Sequence, residues 1–114
     1  MVTIGLTPEV DEINKRLMRK FGFDTEKDMA LFAFAYAIKE NILCETVTNK
    51  GTKWGTSSFE DIDYEKILQI CYPDTKMDDP LLYFVELMHA GIRQINNLVS
   101  REPDLMISDL LPKE

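Results

Sequence analysis

The ten residues Met29 to Ile38, MALFAFAYAI, form the longest apolar run in the 114-residue chain. At helical spacing this segment shows no polar face apart from the Tyr36 hydroxyl, so a helix here must be covered on most sides, either within the fold or at a subunit interface. Ten residues fall well short of the roughly 20 needed to span a bilayer. Ala30, Ala33, Ala35 and Ala37 would let other backbones approach closely. Asp24 or Thr25 can cap the start of the helix, polarity returns at Lys39 and Glu40, and Asn41 suits its end.

Upstream, Val2-Thr3-Ile4-Gly5-Leu6 alternates with period two and predicts one short strand. Thr7-Pro8 then reads as an N-cap followed by the first helical residue, and Gly22 as a left-handed stop. Between them a helix from Pro8 to Phe21 carries Val10, Ile13, Leu17 and Phe21 as one stripe. Its first turn is acidic and its last turn basic, as the helix dipole prefers.

Downstream, residues 44–60 lose the helical period and predict a loop or small hairpin around Asn49-Lys50-Gly51, with Trp54 as its pin. A helix is expected over Tyr64–Cys71, with Asp61 and Asp63 at its start. Asp79-Pro80 opens the strongest pattern in the chain. Leu81, Val85, Met88, Ile92, Ile95 and Val99 recur at spacings of four and three, predicting a helix from Pro80 to Ser100, about 32 Å long. Gly91 in its middle costs about 1 kcal/mol relative to Ala. Either another backbone passes close to it or the position is neutral. A last short helix is expected over Asp104–Leu111. These readings make one mainly α domain over residues 1–114, with the parts 1–43, 44–60 and 61–114.

The composition is that of an ordinary globular chain, 45% hydrophobic and 29% charged, which excludes a disordered tail, a collagen-like chain and a disulfide scaffold. The N-terminus lacks the basic start and apolar stretch of a secretory signal. Cys44 and Cys71, without a CxxC spacing, suit free thiols of a cytoplasmic protein. The formal net charge of -7 is uneven. Residues 1–40 hold six bases and seven acids, net -1, whereas residues 41–114 hold seven bases and thirteen acids, net -6.

Candidate chemistry is sparse, and the residues point to no enzyme, cofactor or small-molecule substrate. His89 is the only histidine and is embedded in the long helix, where a satisfied structural role fits better than a base or ligand. Cys44, Cys71 and His89 give three possible zinc ligands at spacings that match no common finger. Asp61, Asp63 and Glu65 resemble part of a hard-cation site, but capping of the helix that follows explains them more simply. Pro73-Asp74-Thr75-Lys76 echoes nuclease fragments without their second carboxylate.

The order of the first 40 residues, short strand, helix, glycine turn and apolar helix, resembles a ribbon-helix-helix unit. In that fold two chains pair their strands and bury their second helices together, and the ribbon can read the major groove. This resemblance makes Met29, Phe32, Phe34, Tyr36 and Trp54 candidate interface residues of a homodimer or hetero-complex. It makes Thr3, Lys15, Arg16, Arg19 and Lys20 candidate DNA contacts. Asp24, Glu26 and Asp28 oppose the DNA reading, because they would repel phosphate from the start of the second helix.

Longer motifs add a second resemblance. Phe23, Thr25, Asp28, Phe32 and Ala33 on the apolar helix, then Lys53-Trp54, then Ala90-Gly91, resemble small DNA phosphorothioation-associated proteins encoded beside bacterial Dnd systems. Cys44-Glu45 stands where that family has a basic run. The resemblance implies a non-catalytic accessory or adaptor protein of an anti-phage defence system, acting by dimerisation or by docking on partner proteins. A ribbon-helix-helix transcriptional regulator is the alternative.

Overall fold

Side-chain caps start the four longest helices in the computed structural model, which describes residues 3–42, 54, 55, 59, 61–75 and 79–110. Helix α1 spans Pro8–Phe21, α2 Glu26–Lys39, α3 Tyr64–Cys71 and α4 Pro80–Arg101. In each, an oxygen of the residue before the helix accepts the N–H three residues on: Thr7 from Val10 at 3.3 Å, Thr25 from Asp28 at 3.1 Å, Asp63 from Lys66 at 3.0 Å and Asp79 from Leu82 at 3.2 Å. Each bond satisfies one of the amides that a helix start leaves unpaired. Pro8 and Pro80 occupy first-turn positions where no amide is needed.

Helix ends follow the same logic. Gly22 closes α1 at φ 78°, and Asn41 follows α2 at φ 52°. Beyond α2 the Ile42 N–H reaches back to the Ala37 carbonyl at 2.9 Å and the Asn41 N–H to Ile38 at 3.0 Å, the paired bonds of a Schellman end.

The described chain is mainly helical, and α2 lies at its centre. Ala30, Phe34 and Ala37 on one side of α2 join a cluster with Ile4, Phe59, Leu68, Tyr72, Phe84, Val85 and Met88. Met29, Ala33 and Tyr36 on the other join Leu6, Val10, Ile13, Leu17, Ile92, Ile95 and Leu110. Apolar residues on both of these sides are therefore what this position demands. Phe84 anchors the first cluster, with ring centroids 4.6 Å from Phe34, 5.4 Å from Phe59 and 4.8 Å from Tyr64. Such pairs contribute about 0.5–1.5 kcal/mol each beyond burial. In the second cluster α4 crosses α2 at Gly91, whose missing side chain leaves room for the Ala33 backbone.

Three expectations are revised. Of the strand expected over Val2–Leu6, the described extended pairing is Thr3–Ile4 (β1), antiparallel to Trp54–Gly55 (β2) in the same chain. The long helix runs one residue further, through Arg101. Within the described residues the last helix, α5, covers Ile107–Leu110 and starts later than the expected Asp104, because the chain first turns through a Leu105 N–H to Glu102 carbonyl bond of 2.9 Å; Leu111 lies outside the described residues. Asp109 then accepts the Met106 N–H at 2.9 Å and sets the later start. The expected hairpin around residues 49–51, and Cys44, lie outside the described residues.

Candidate binding surface

His89 sits fully buried on α4, and both of its ring nitrogens are engaged. Nε2 accepts the Thr7 N–H at 3.1 Å, and Nδ1 lies 2.8 Å from the Val85 carbonyl. A carbonyl can only accept, so Nδ1 carries the proton and Nε2 is the acceptor. The ring joins the start of α1 to the middle of α4, and both nitrogens are spent on backbone groups.

Of the acids considered for a cation, Asp63 caps α3, while Asp61 and Glu65 are exposed. Among the described residues no cluster of three or more His, Cys, Asp or Glu side chains could hold a metal ion. Cys71 is an exposed free thiol. Within the same residues no helix is long and apolar enough to cross a membrane.

The basic end of α1 is largely occupied by contacts inside the molecule. Lys15 lies 3.2 Å from Asp11 and 3.9 Å from Glu12. Arg19 Nε donates to the Lys15 carbonyl at 3.2 Å, and Lys20 Nζ to the Pro103 carbonyl at 2.5 Å. Arg16 is exposed. Thr3 contributes its backbone to the pairing with Gly55, and its side chain is outside the described atoms. The acids at the start of α2 remain: Asp24 and Asp28 are exposed and Glu26 is half-buried.

Three of the five residues expected at a subunit interface sit in the interior of a single chain. Met29, Phe34 and Tyr36 are 0%, 4% and 7% exposed. Half-buried Phe32 packs on Phe23 at 5.4 Å between ring centroids, and half-buried Trp54 on Phe59 at 5.5 Å. Burial against α1, α3 and α4 is thus what covers most of α2. At its C-terminal end Lys39 pairs with Glu40 at 3.2 Å and donates to the Leu110 carbonyl at 2.7 Å, fastening α5 to α2. Burial first, and then the Glu40 carboxylate, push the Tyr36 phenol above its usual range.

Among the described residues α2 leaves another side partly uncovered, one that shares only Phe34 with the expected interface set. Leu31, Phe34, Ala35 and Ile38 form one wall, and Ile62 and Ile67 the other, of an open apolar groove of about 350 Å³ between α2 and α3. Ala35 is exposed at its mouth, Phe34 is buried as part of the first core cluster, and Leu31, Ile38, Ile62 and Ile67 are half-buried against that cluster. The spacing i, i+3, i+4, i+7 along α2 carries this wall, a signal hidden by the apolar residues that surround it. Ile70, 68% exposed, follows Ile67 at a spacing of three on α3.

Around this groove the charge is mostly negative. Asp61, Asp63 and Glu65 flank Ile62 and precede Ile67, and all three are exposed. The nearby bases of α2 are directed elsewhere: Lys27 Nζ stands over the Phe59 ring, 5.3 Å from its centroid, and Lys39 is held by Glu40 and Leu110. Lys66 is the base within the α3 wall. No protein-family model, no curated protein and no solved structure matches the chain.

Proposed function

We propose that the chain is a non-catalytic adaptor that docks on a basic partner protein through the acidic surface of residues 61–114. The observation that carries this reading is the exposure of Asp61, Asp63, Glu65, Asp74, Asp79, Glu102, Asp104 and Asp109. Among the described residues of the same region the bases are Lys66, Arg93 and Arg101. A field of one sign on a folded surface steers an oppositely charged partner and suppresses like-charged ones. His89, the side chain best suited to acid–base work, is committed to Thr7 and Val85, which supports binding over catalysis.

The biological setting of the proposal is a DNA phosphorothioation-linked anti-phage defence system in a bacterial cytoplasm, and its support is the similarity carried by Phe23, Thr25, Asp28, Phe32, Lys53-Trp54 and Ala90-Gly91. Co-expression with sulfur-modification and defence proteins encoded beside it, followed by affinity capture, tests the proposal. A complex that dissolves as salt rises is expected. Capture of none of these proteins, or a complex indifferent to salt, overturns it.

The ribbon-helix-helix regulator has less to support it. A ribbon shared by two chains would require Thr3–Ile4 to exchange its pairing with Trp54–Gly55 for a second copy, and Lys15 to leave Asp11 and Glu12 for phosphate.

A further inference from the structure

We infer that the groove between α2 and α3 receives an amphipathic helix of the partner protein, with its apolar stripe in the groove and lysines or arginines on its flanks. This inference rests on the adaptor reading and specifies its contact.

The shape of the groove selects a helix. From Leu31 to Ile38 its α2 wall is about 10 Å long, since seven residues rise 1.5 Å each. Ile62 and Ile67 face that wall, so the trough of about 350 Å³ has room for a few side chains from successive turns of one helix. Helix-in-groove recognition uses such anchors at i, i+3, i+4 and i+7. Exposed Ile70 prolongs the apolar wall outward along α3.

Charge selects the flanks and argues against a second copy of the chain. Asp61, Asp63 and Glu65 border the α3 wall, while Lys27 and Lys39 are turned to Phe59, Glu40 and Leu110. A helix with basic flanks gains attraction there, and one with acidic flanks meets repulsion. Two copies would each bring a net charge of -7 to the contact. A stable homodimer also needs about 800 Å² of buried surface per chain, more than a six-residue trough supplies.

The test uses the full chain and three synthetic peptides of about four helical turns. One carries leucines at i, i+3, i+4 and i+7 with lysine flanks, one has the same leucines with glutamate flanks, and the third is a scramble of the first. Fluorescence anisotropy is expected to show micromolar binding of the lysine-flanked peptide alone, weakening as salt rises. Amide shifts in NMR should concentrate on residues 31–38 and 62–70. Ala35→Arg, at an exposed position, and Ile70→Lys should keep the circular dichroism of the native chain and weaken binding by about tenfold. Equal binding of the glutamate-flanked or scrambled peptide, no binding of the lysine-flanked one, or full binding to Ala35→Arg overturns the inference. So does a homodimer in light scattering that Ala35→Arg dissolves. Failure of this contact alone is recognised if Ala35→Arg still enters the complex with the defence proteins, whereas failure of the adaptor reading leaves no complex to enter.

Discussion

The backbone carbonyl of Ala33 on α2 fills the space into which a side chain at Gly91 on α4 would extend. A Cβ at Gly91 would stand 2.8 Å from the Ala33 carbonyl carbon and nearer still to its oxygen. The two helices at the centre of the fold touch backbone to backbone at this point, and the obstacle is not a side chain that can swing aside.

Gly91→Ala therefore separates two effects of opposite sign. Helix propensity alone favours alanine by about 1 kcal/mol. Overpacking against a fixed carbonyl costs about 1–3 kcal/mol, and more when the backbone itself must move. The second effect is expected to win, giving a lower urea midpoint than the wild type. Ala33→Gly should not rescue it, because the clash is with the main chain.

His89→Phe tests the link between α1 and α4. Phenylalanine keeps a ring in the core but offers no acceptor to the Thr7 N–H and no donor to Val85. A loss of about 1–3 kcal/mol in chemical denaturation is expected, the cost of leaving buried polar groups unpaired. A variant as stable as the wild type would show that the imidazole is not what ties Thr7 to α4.

Stability should fall at alkaline pH through Tyr36. Its phenol ionises at higher pH in the folded chain than in the unfolded one, because burial and then Glu40 disfavour the phenolate. Above the ordinary tyrosine value of about 10 the unfolded state releases this proton first, so unfolding is favoured as pH rises. Below that range the group contributes no pH dependence. Denaturation midpoints from neutral pH to pH 11 should drop less steeply in Tyr36→Phe, and a parallel drop in both chains would exclude this residue as a cause.

Gel shifts at low salt with the chain's own promoter should show no complex. Of the expected contacts, Lys15 is paired with acids, Lys20 is held at Pro103, and the start of α2 carries Asp24, Glu26 and Asp28. Salt-sensitive binding that Arg16→Glu and Arg19→Glu abolish would restore the DNA-binding alternative.

The helices were legible where local chemistry controls them. Thr7-Pro8, Gly22, Asp63 and Asp79-Pro80 act on amides or turns only a few residues away, and the observed bounds of α1 and α3 match the expected ones. Alpha5 was misjudged because Pro103-Asp104 imitates a cap, while the effective cap comes from Asp109, a side chain downstream of the amide it binds. Met29, Phe34 and Tyr36 show the limit of composition: an apolar side chain reads alike whether its cover comes from the same chain or another. The groove stayed hidden for a related reason. Which side of α2 lacks a cover among the described residues depends on where α3 docks, and no local spacing encodes that.

Charge reversal on α3 tests the central claim most directly. Asp61→Lys with Glu65→Lys changes two exposed acids and leaves the Asp63 cap in place, so the fold should persist. Measured by isothermal titration calorimetry against the captured partner at low salt, the double variant should bind at least about tenfold more weakly than the wild type. Unchanged affinity would contradict docking through the acidic surface.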